Sequence, residues 1–234
     1  MSENLEGREE RSPLRASALS YFSHRWEEIF FFITFSLLCF ENLAFVANTE
    51  FLSSLHGAIA VFASFELFVV GRLSYLTFPL IIAPLAYLFA SRGRPKWSRR
   101  YLDILGIYLV IRMTIQLIGL NILVFDLTSS RFLLITQLLF FLPYSLLIWG
   151  WVYWRLDTSA GSKHRQLFRL DCEAENPRPI DYLVASFSSV FSASISGIKG
   201  TSARARMLIL LHGFVIYDVM GLTLSRAVTL VQAK

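Results

Sequence analysis

Four ionisable residues lie inside long apolar runs of the sequence, namely Glu41, Glu66, Arg112 and Asp218. Charged groups in runs that cross a membrane are costly to bury and are usually paired or functional. Arg112 is far from both ends of its run, and a guanidinium can hold a carboxylate with two hydrogen bonds. We therefore expect Arg112 to pair with Glu66 or Glu41. A pair that fixes the helix arrangement is favoured over a proton relay, and a voltage sensor would need several arginines.

Asp218 lies in the last apolar run, with His212 six residues earlier. Six residues rotate an ideal helix by about 600°, so the two side chains lie on different helix faces. Asp218 is predicted either to bind a cation or to accept a hydrogen bond from neighbouring serines.

No enzyme motif is recognisable in the sequence. There is no His-Glu-x-x-His, Gly-x-Ser-x-Gly, Walker or Cys-x-x-Cys pattern. We therefore expect no catalytic residues, no metal site and no cofactor. The histidines are scattered without ligand spacing: His24, His56, His164 and His212.

The elements that must position these residues are membrane helices. Hydrophobic residues make up 55% of the chain and charged residues only 17%, and the apolar residues come in long blocks. A helix needs about 20 such residues to cross the hydrocarbon core. The sequence predicts an all-α polytopic membrane protein with about six transmembrane helices. The predicted spans are 26–47, 55–70, 75–90, 101–125, 131–154 and 207–230.

The net charge of +5 comes from residues between the apolar blocks. Such charges anchor helix ends at lipid headgroups, so we expect the lipid bilayer and no nucleic acid as partner. The chain divides into a polar, cytosolic-type tail (1–25), a four-helix region (26–130) and a C-terminal module (131–234). That module comprises an outer helix, a polar loop (155–180), a short helix (181–195) and an inner helix (207–230).

The segment from Asp181 to Ile195 is rich in serine, mildly apolar and too short to span a bilayer. Pro179 and Asp181 give it a helix start, and Gly197 with Gly200 gives it an end. Non-helical backbone is tolerated at membrane depth only beside protein or a water-filled cavity. The segment is predicted to be a re-entrant helix that precedes the last span.

This order of span, short helix, glycine turn and span resembles the pore module of two-transmembrane potassium channels. The matching stretches are 181–188 for the pore-helix start and 201–206 for the approach to the inner helix. The segment Leu146 to Asp157 is also similar to a group of uncharacterised bacterial membrane proteins. The resemblance implies a homo-oligomer, tetrameric if channel-like, a permeant ion, and a bacterial plasma or internal membrane.

The stretch that would correspond to a selectivity filter is Ser194 to Gly200, and it lacks the Thr-Val-Gly-Tyr-Gly pattern. Filter carbonyls replace the ion's hydration shell, which needs that backbone. We therefore expect weak or non-selective conduction rather than potassium selectivity, unless the serines only let helices pack closely. The pore-like residues would be Ser192, Ser194, Ile195, Ser196, Gly197, Ile198 and Asp218.

Two alternatives to conduction remain at this point. One is a scaffold or sensor that retains a pore-like fold, and the other is an intramembrane transporter or enzyme using Glu41, Glu66 and Asp218. Six spans also create a conflict, because the positive-inside rule would make the loops at 92–100 and 155–206 cytoplasmic. A channel-like module needs the reverse. Either the pore orientation differs or the span count is off by one, and only Gly71-Arg72 separates spans two and three.

Overall fold

The computed structural model describes residues 25–47, 56–91, 93, 95–125, 131–160, 167–170, 177–191 and 197–232. Within those ranges the chain is almost entirely helical. In chain order the elements are α1 (Trp26–Ala47), α2 (Gly57–Leu67), a π-helical turn (Phe68–Leu73), α3 (Ser74–Ala90), α4 (Ser98–Phe125), α5 (Arg131–Ala160), β1 (Phe168–Leu170), α6 (Pro179–Phe191), β2 (Ile198–Gly200) and α7 (Ala203–Gln232).

Among the described residues, four helices are long and apolar enough to cross a membrane. They are Trp26–Ala47, Ser98–Ile122, Ile135–Ser159 and Ala203–Ser225. The bent pair Ala60–Leu73 and Leu76–Ala90 raises the number to five if it is one span. The chain is therefore compatible with the predicted all-α membrane protein, whereas a count of six spans is not confirmed.

The π-helical turn explains the difference in span count. Gly71 and Arg72 were expected to separate two spans, but helical backbone continues through them from α2 into α3. Gly71 does not have a positive φ, so it does not end the helix. The two parts meet at a bend of 48°. A second crossing would require the chain to reverse direction, which a bend of this size does not do.

Several helix ends meet at one end of the bundle, which we call the basic end. Arg25 donates to the backbone carbonyls of Leu88, at 2.7 Å, and Ser91. Arg99 holds Glu27 at 2.9 Å. These contacts bring the start of α1, the end of α3 and the start of α4 together, so α1 and α4 run in one direction and α3 runs in the other.

The end of α5 also lies at the basic end. Arg155 grips both carboxylate oxygens of Asp103, at 2.6 and 2.8 Å, and Arg99 donates to the same carboxylate at 2.7 Å. Trp26 packs edge-on against Trp154, with ring centroids 4.4 Å apart. Indoles at the end of a bundle are typical of the membrane–water interface. Helix α5 is therefore antiparallel to α1 and α4.

The core lies between α1, α4 and α5. Phe31, Leu109 and Ile148 are fully buried there, one from each helix. Gly106 has no room for a side chain, because a Cβ atom at this position would overlap the ring of Trp151. Small residues allow such close approach of membrane helices. The close α4–α5 contact gives the remaining elements a rigid support.

Candidate functional site

Helix α6 packs along the second half of α5. Its Tyr182 hydroxyl donates to Asp157 near the end of α5, and its Ser186 hydroxyl donates to the carbonyl of Leu146 at 2.8 Å. A Cβ atom at Gly150 would lie 2.5 Å from Leu183 Cδ2, so the glycine admits the side chain of α6. The order of these contacts shows that α6 is antiparallel to α5.

Asp157 fixes the surrounding loop to the end of α5. Its Oδ1 accepts the backbone N–H groups of Leu167 at 2.6 Å and Phe168 at 3.2 Å, while Oδ2 accepts the hydroxyl of Tyr182. Asp157 is 6% exposed. Its carboxylate therefore provides the acceptors that β1 and the start of α6 share.

Strand β2, the next described element after α6, is again at the basic end. Strand β2 pairs with β1 in antiparallel register, with Phe168 opposite Gly200, and Thr201 donates its N–H to the carbonyl of Leu167 at 3.0 Å. The segment from Pro179 to Gly200 therefore begins and ends beside Asp157. Its Ser186 contacts Leu146 near the centre of the span Ile135–Ser159.

Most of the predicted pore-like stretch lies outside the described residues, namely Ser192, Ser194, Ile195 and Ser196. Gly197 is described and has a φ of +94°, a conformation that favours glycine. Ile198 is buried in β2. Hydrogen-bonded and non-hydrogen-bonded residue pairs alternate along an antiparallel ladder. Because Thr201 is bonded to Leu167, the opposed residues Lys199 and Arg169 also exchange backbone hydrogen bonds. Backbone carbonyls used in a ladder are not free to coordinate an ion.

His212 of α7 contacts the serine-rich helix α6. It is fully buried, and its Nδ1 lies 2.9 Å from the hydroxyl of Tyr153. Its Nε2 lies 3.5 Å from the hydroxyl of Ser189, and its ring stacks on Trp149 at 4.8 Å. The residue types and their spacing did not predict this role for His212. Its position within the last apolar run was the signal that pointed to a buried polar contact.

Asp218 lies elsewhere on α7. Its Oδ2 accepts a hydrogen bond from Asn121 of α4 at 2.7 Å. Ser189 of α6 contacts His212, about 9 Å nearer the basic end along α7 than Asp218. Ser192, Ser194 and Ser196 lie outside the described residues. The hydrogen bond from neighbouring serines and the cation-binding role of Asp218 both stay predictions.

Arg112 belongs to a buried polar cluster between α1 and α4. It is 1% exposed, and its Nη2 donates to Asn42 Oδ1 at 2.7 Å. Four residues along α4, Gln116 donates to the carboxylate of Glu41. We call Arg112, Asn42, Glu41, Gln116 and Glu66 the intramembrane polar cluster.

Glu66 joins the cluster from α2. A Cβ atom at Gly119 would lie 2.6 Å from Glu66 Oε2, so the carboxylate packs directly against the backbone of α4 at this glycine. Arg112, Gln116 and Gly119 follow one face of that helix. The structure thus brings Arg112, Glu41 and Glu66 into one buried region. Among the described residues, however, Arg112 is bonded to Asn42 and forms no ion pair with either carboxylate.

Several buried polar atoms, three of them in the cluster, have unused hydrogen-bonding capacity. Arg112 Nε and Nη1, Gln116 Oε1 and Gln137 Oε1 are buried without a partner among the described residues. Buried polar groups left unpaired cost free energy, so they are commonly satisfied by small polar species. The cluster has the groups needed to exchange a proton or hold a small cation between its two carboxylates.

The structure therefore offers two candidate sites, the α5–α6–α7 module around Asp157 and His212, and the intramembrane polar cluster. No protein-family model, curated protein or solved structure matches this chain.

Proposed function

We propose that this chain is a multi-pass membrane protein that conducts ions as a homo-oligomer, with weak selectivity. The observations that support this most are the positions of α6 and β2. Helix α6 begins beside Asp157 and reaches the level of Leu146, and β2, later in the chain, pairs with β1 back at the basic end. With 13 residues, α6 is about 20 Å long, too short to cross the hydrocarbon core. A segment of this shape can line a water-filled path.

The chemistry of the return stretch argues against potassium selectivity. The backbone of Lys199, at the centre of β2, pairs with that of Arg169 in the sheet. Its carbonyl therefore does not contribute to a ring of ion-coordinating carbonyls. Basic residues at a pore mouth favour anions, whereas the carboxyl end of a helix favours cations. The C-terminal end of α6 points away from the basic end, towards the middle of the bilayer. We therefore expect conduction with little discrimination between small ions.

Oligomerisation is supported by α7. Its candidate span is 28% buried, whereas the other three unbroken spans are 41–50% buried. A second copy would cover this face in an oligomer, and a ring of copies would place the α6 segments around a common axis. The face is formed by exposed apolar side chains: Met207, Leu210, Phe214, Tyr217 and Leu224.

Five crossings also assign an orientation. The N-terminal tail, the link between α3 and α4, and the chain from α5 to α7 then share the basic end. The links 48–56 and 126–130 at the other end hold no Lys or Arg. The positive-inside rule makes the basic end cytoplasmic, and α6 would enter from the cytoplasm, opposite to a potassium-channel pore helix. The basic residues on that side are Arg8, Arg11, Arg15, Arg25, Arg92, Arg94, Lys96, Arg99, Arg100, Arg155, Lys163, Arg165, Arg169, Arg178, Lys199, Arg204 and Arg206.

Planar-bilayer recordings of the purified full-length protein test conduction. We expect currents in both KCl and NaCl, with reversal potentials that shift in Lys199→Ala towards greater cation permeability, because a positive charge leaves the mouth. Arg204→Ala is the matched control, since Arg204 is an exposed residue at the same end but lies outside the strand pair. Silence across salts and voltages, with an intact oligomer, would reject conduction and favour the scaffold or sensor.

The intramembrane polar cluster supports a second candidate, proton or cation transfer through the bundle. Glu41 and Glu66 are both buried, and one guanidinium lies among them without pairing to either. Proton flux into proteoliposomes under an imposed potential tests this. We expect Glu66→Gln to abolish a flux that Thr114→Val, on the exposed face of α4, leaves intact. Equal flux in both variants would reject the transfer role.

A further inference from the structure

An apolar cleft runs from the basic end towards the middle of the bundle, between α1, α5 and α6. It has a volume of about 480 Å³. Its walls are formed by Ile29 and Ile33 of α1, Leu147 of α5 and Leu183 of α6. Such a lining excludes a polar ligand from the depth of the cleft. Apolar walls of this kind suit the apolar chain of a lipid.

The mouth of the cleft carries a positive charge. Arg178 lines the mouth, and its guanidinium forms no hydrogen bond or ion pair with any described residue. The neighbouring carboxylate of Asp181 accepts the backbone N–H of Arg178 at 2.6 Å through Oδ2. No described residue therefore stands in the way of an anion that approaches this guanidinium from the headgroup layer.

Trp26 fixes the depth of this mouth. It lines the same cleft and packs against Trp154 at the basic end. Indoles of this kind lie at headgroup level in membrane proteins. Arg178 and Trp26 therefore lie where a lipid phosphate is found, while Ile33 and Leu183 lie deeper, where acyl chains are found.

We propose that this cleft binds one anionic phospholipid, with its phosphate on Arg178 and an acyl chain between α1 and α6. Basic pockets between membrane helices recognise anionic headgroups in this way. A guanidinium also matches a phosphate group with paired hydrogen bonds. A bound lipid would brace α6 from the side opposite to His212. Lipid binding at this cleft does not depend on conduction.

Native mass spectrometry of the purified full-length protein in detergent tests the binding. The probes are phosphatidylglycerol, phosphatidylcholine with the same acyl chains, and glycerol phosphate, which has the headgroup but no chain. We expect phosphatidylglycerol to bind more tightly than either of the others. Equal affinity for the two lipids would overturn the charge assignment. Glycerol phosphate binding as tightly as phosphatidylglycerol would overturn the lipid assignment and show a site for free phosphate groups.

Two pairs of variants locate the site. Arg178→Gln should weaken phosphatidylglycerol binding about fivefold, the contribution of one basic residue near a membrane surface. Arg204→Gln, at the same end but outside the cleft, should leave it within about twofold. Ile33→Trp should fill the cleft and weaken binding, whereas Val184→Trp, on the other exposed face of α6, should not. Unchanged binding in Arg178→Gln would overturn the proposal.

Discussion

The hydroxyl of Ser186 donates to the backbone carbonyl of Leu146 at 2.8 Å and joins α6 to the centre of α5. A backbone carbonyl has two lone pairs, so Leu146 can accept the Ser186 hydroxyl and still take part in the hydrogen bonding of its own helix. The contact sets how deep α6 lies beside α5.

The first prediction concerns topology. The two native cysteines are first removed by Cys39→Ala and Cys172→Ser. Single cysteines are then introduced and labelled in intact cells with an impermeant maleimide. The five positions are Ser12, Asn48, Lys96, Thr128 and Lys163. Five crossings with the basic end inside predict labelling of Asn48→Cys and Thr128→Cys only. Permeabilised cells, in which all five variants should react, are the control.

Other labelling patterns have distinct meanings. Six crossings would place Asn48 on the side of Lys96 and Ser12 on the opposite side. Five crossings in the inverted orientation would expose Ser12, Lys96 and Lys163 together, and would contradict the positive-inside assignment. The inverted pattern would remove the cytoplasmic entry of α6, whereas six crossings with Lys96 and Lys163 inside would keep it.

The second prediction concerns the contact between α4 and α5. Gly106→Ala should destabilise the protein by about 1–3 kcal/mol, because the new methyl overlaps the Trp151 ring. Gly221→Ala is the matched control, since nothing lies within 4 Å of its Cβ position and alanine is the better helix former. Thermal unfolding in detergent measures both. Equal midpoints would contradict the close helix packing.

The third prediction concerns Asp157. Asp157→Asn should loosen β1 and the start of α6, because an amide cannot accept all three of the hydrogen bonds that the carboxylate receives. Loss of a hydrogen bond to a charged group costs about 2 kcal/mol. Limited proteolysis should cut within 161–176 faster in this variant. Tyr182→Phe removes only the hydroxyl contact, so its cleavage rate should lie between those of the wild type and Asp157→Asn.

The fourth prediction concerns His212, which connects three helices. His212→Leu should retain the packing on Trp149 but leave the hydroxyls of Tyr153 and Ser189 without that partner. An unsatisfied buried hydroxyl costs about 1–3 kcal/mol, so the unfolding midpoint should fall. The double variant with Tyr153→Phe should recover part of the loss. Additive losses in the double variant would show that the two side chains do not interact.

The fifth prediction concerns Arg112 and its partner. Asn42→Leu should destabilise the protein more than Asn121→Leu, because it leaves a third nitrogen of a buried guanidinium unpaired. Asn121 is only part-buried, and its partner Asp218 remains accessible to other donors. Thermal unfolding compares the two variants. A larger loss from Asn121→Leu would indicate that Arg112 finds its main partner elsewhere in the cluster.

The sequence by itself determined that the chain is apolar enough for a membrane and where most helices lie. The long runs at 26–47, 101–125 and 131–154 correspond to α1, α4 and α5, because roughly 20 consecutive apolar residues give a helix wherever they fall. Helix α6 begins at Pro179, two residues before the predicted start at Asp181, so Asp181 lies in its first turn. These properties depend on residues that are close together in the chain.

The tertiary structure decided the direction of the chain and the choice of partners. Gly71 and Arg72 could end a helix or bend one, and packing against neighbouring helices kept them helical. Arg112 bonded to Asn42, 70 positions away, although two carboxylates were the expected partners. Charge and spacing do not determine which of several buried polar groups comes within hydrogen-bonding distance. Only the packing of helices distant in sequence does.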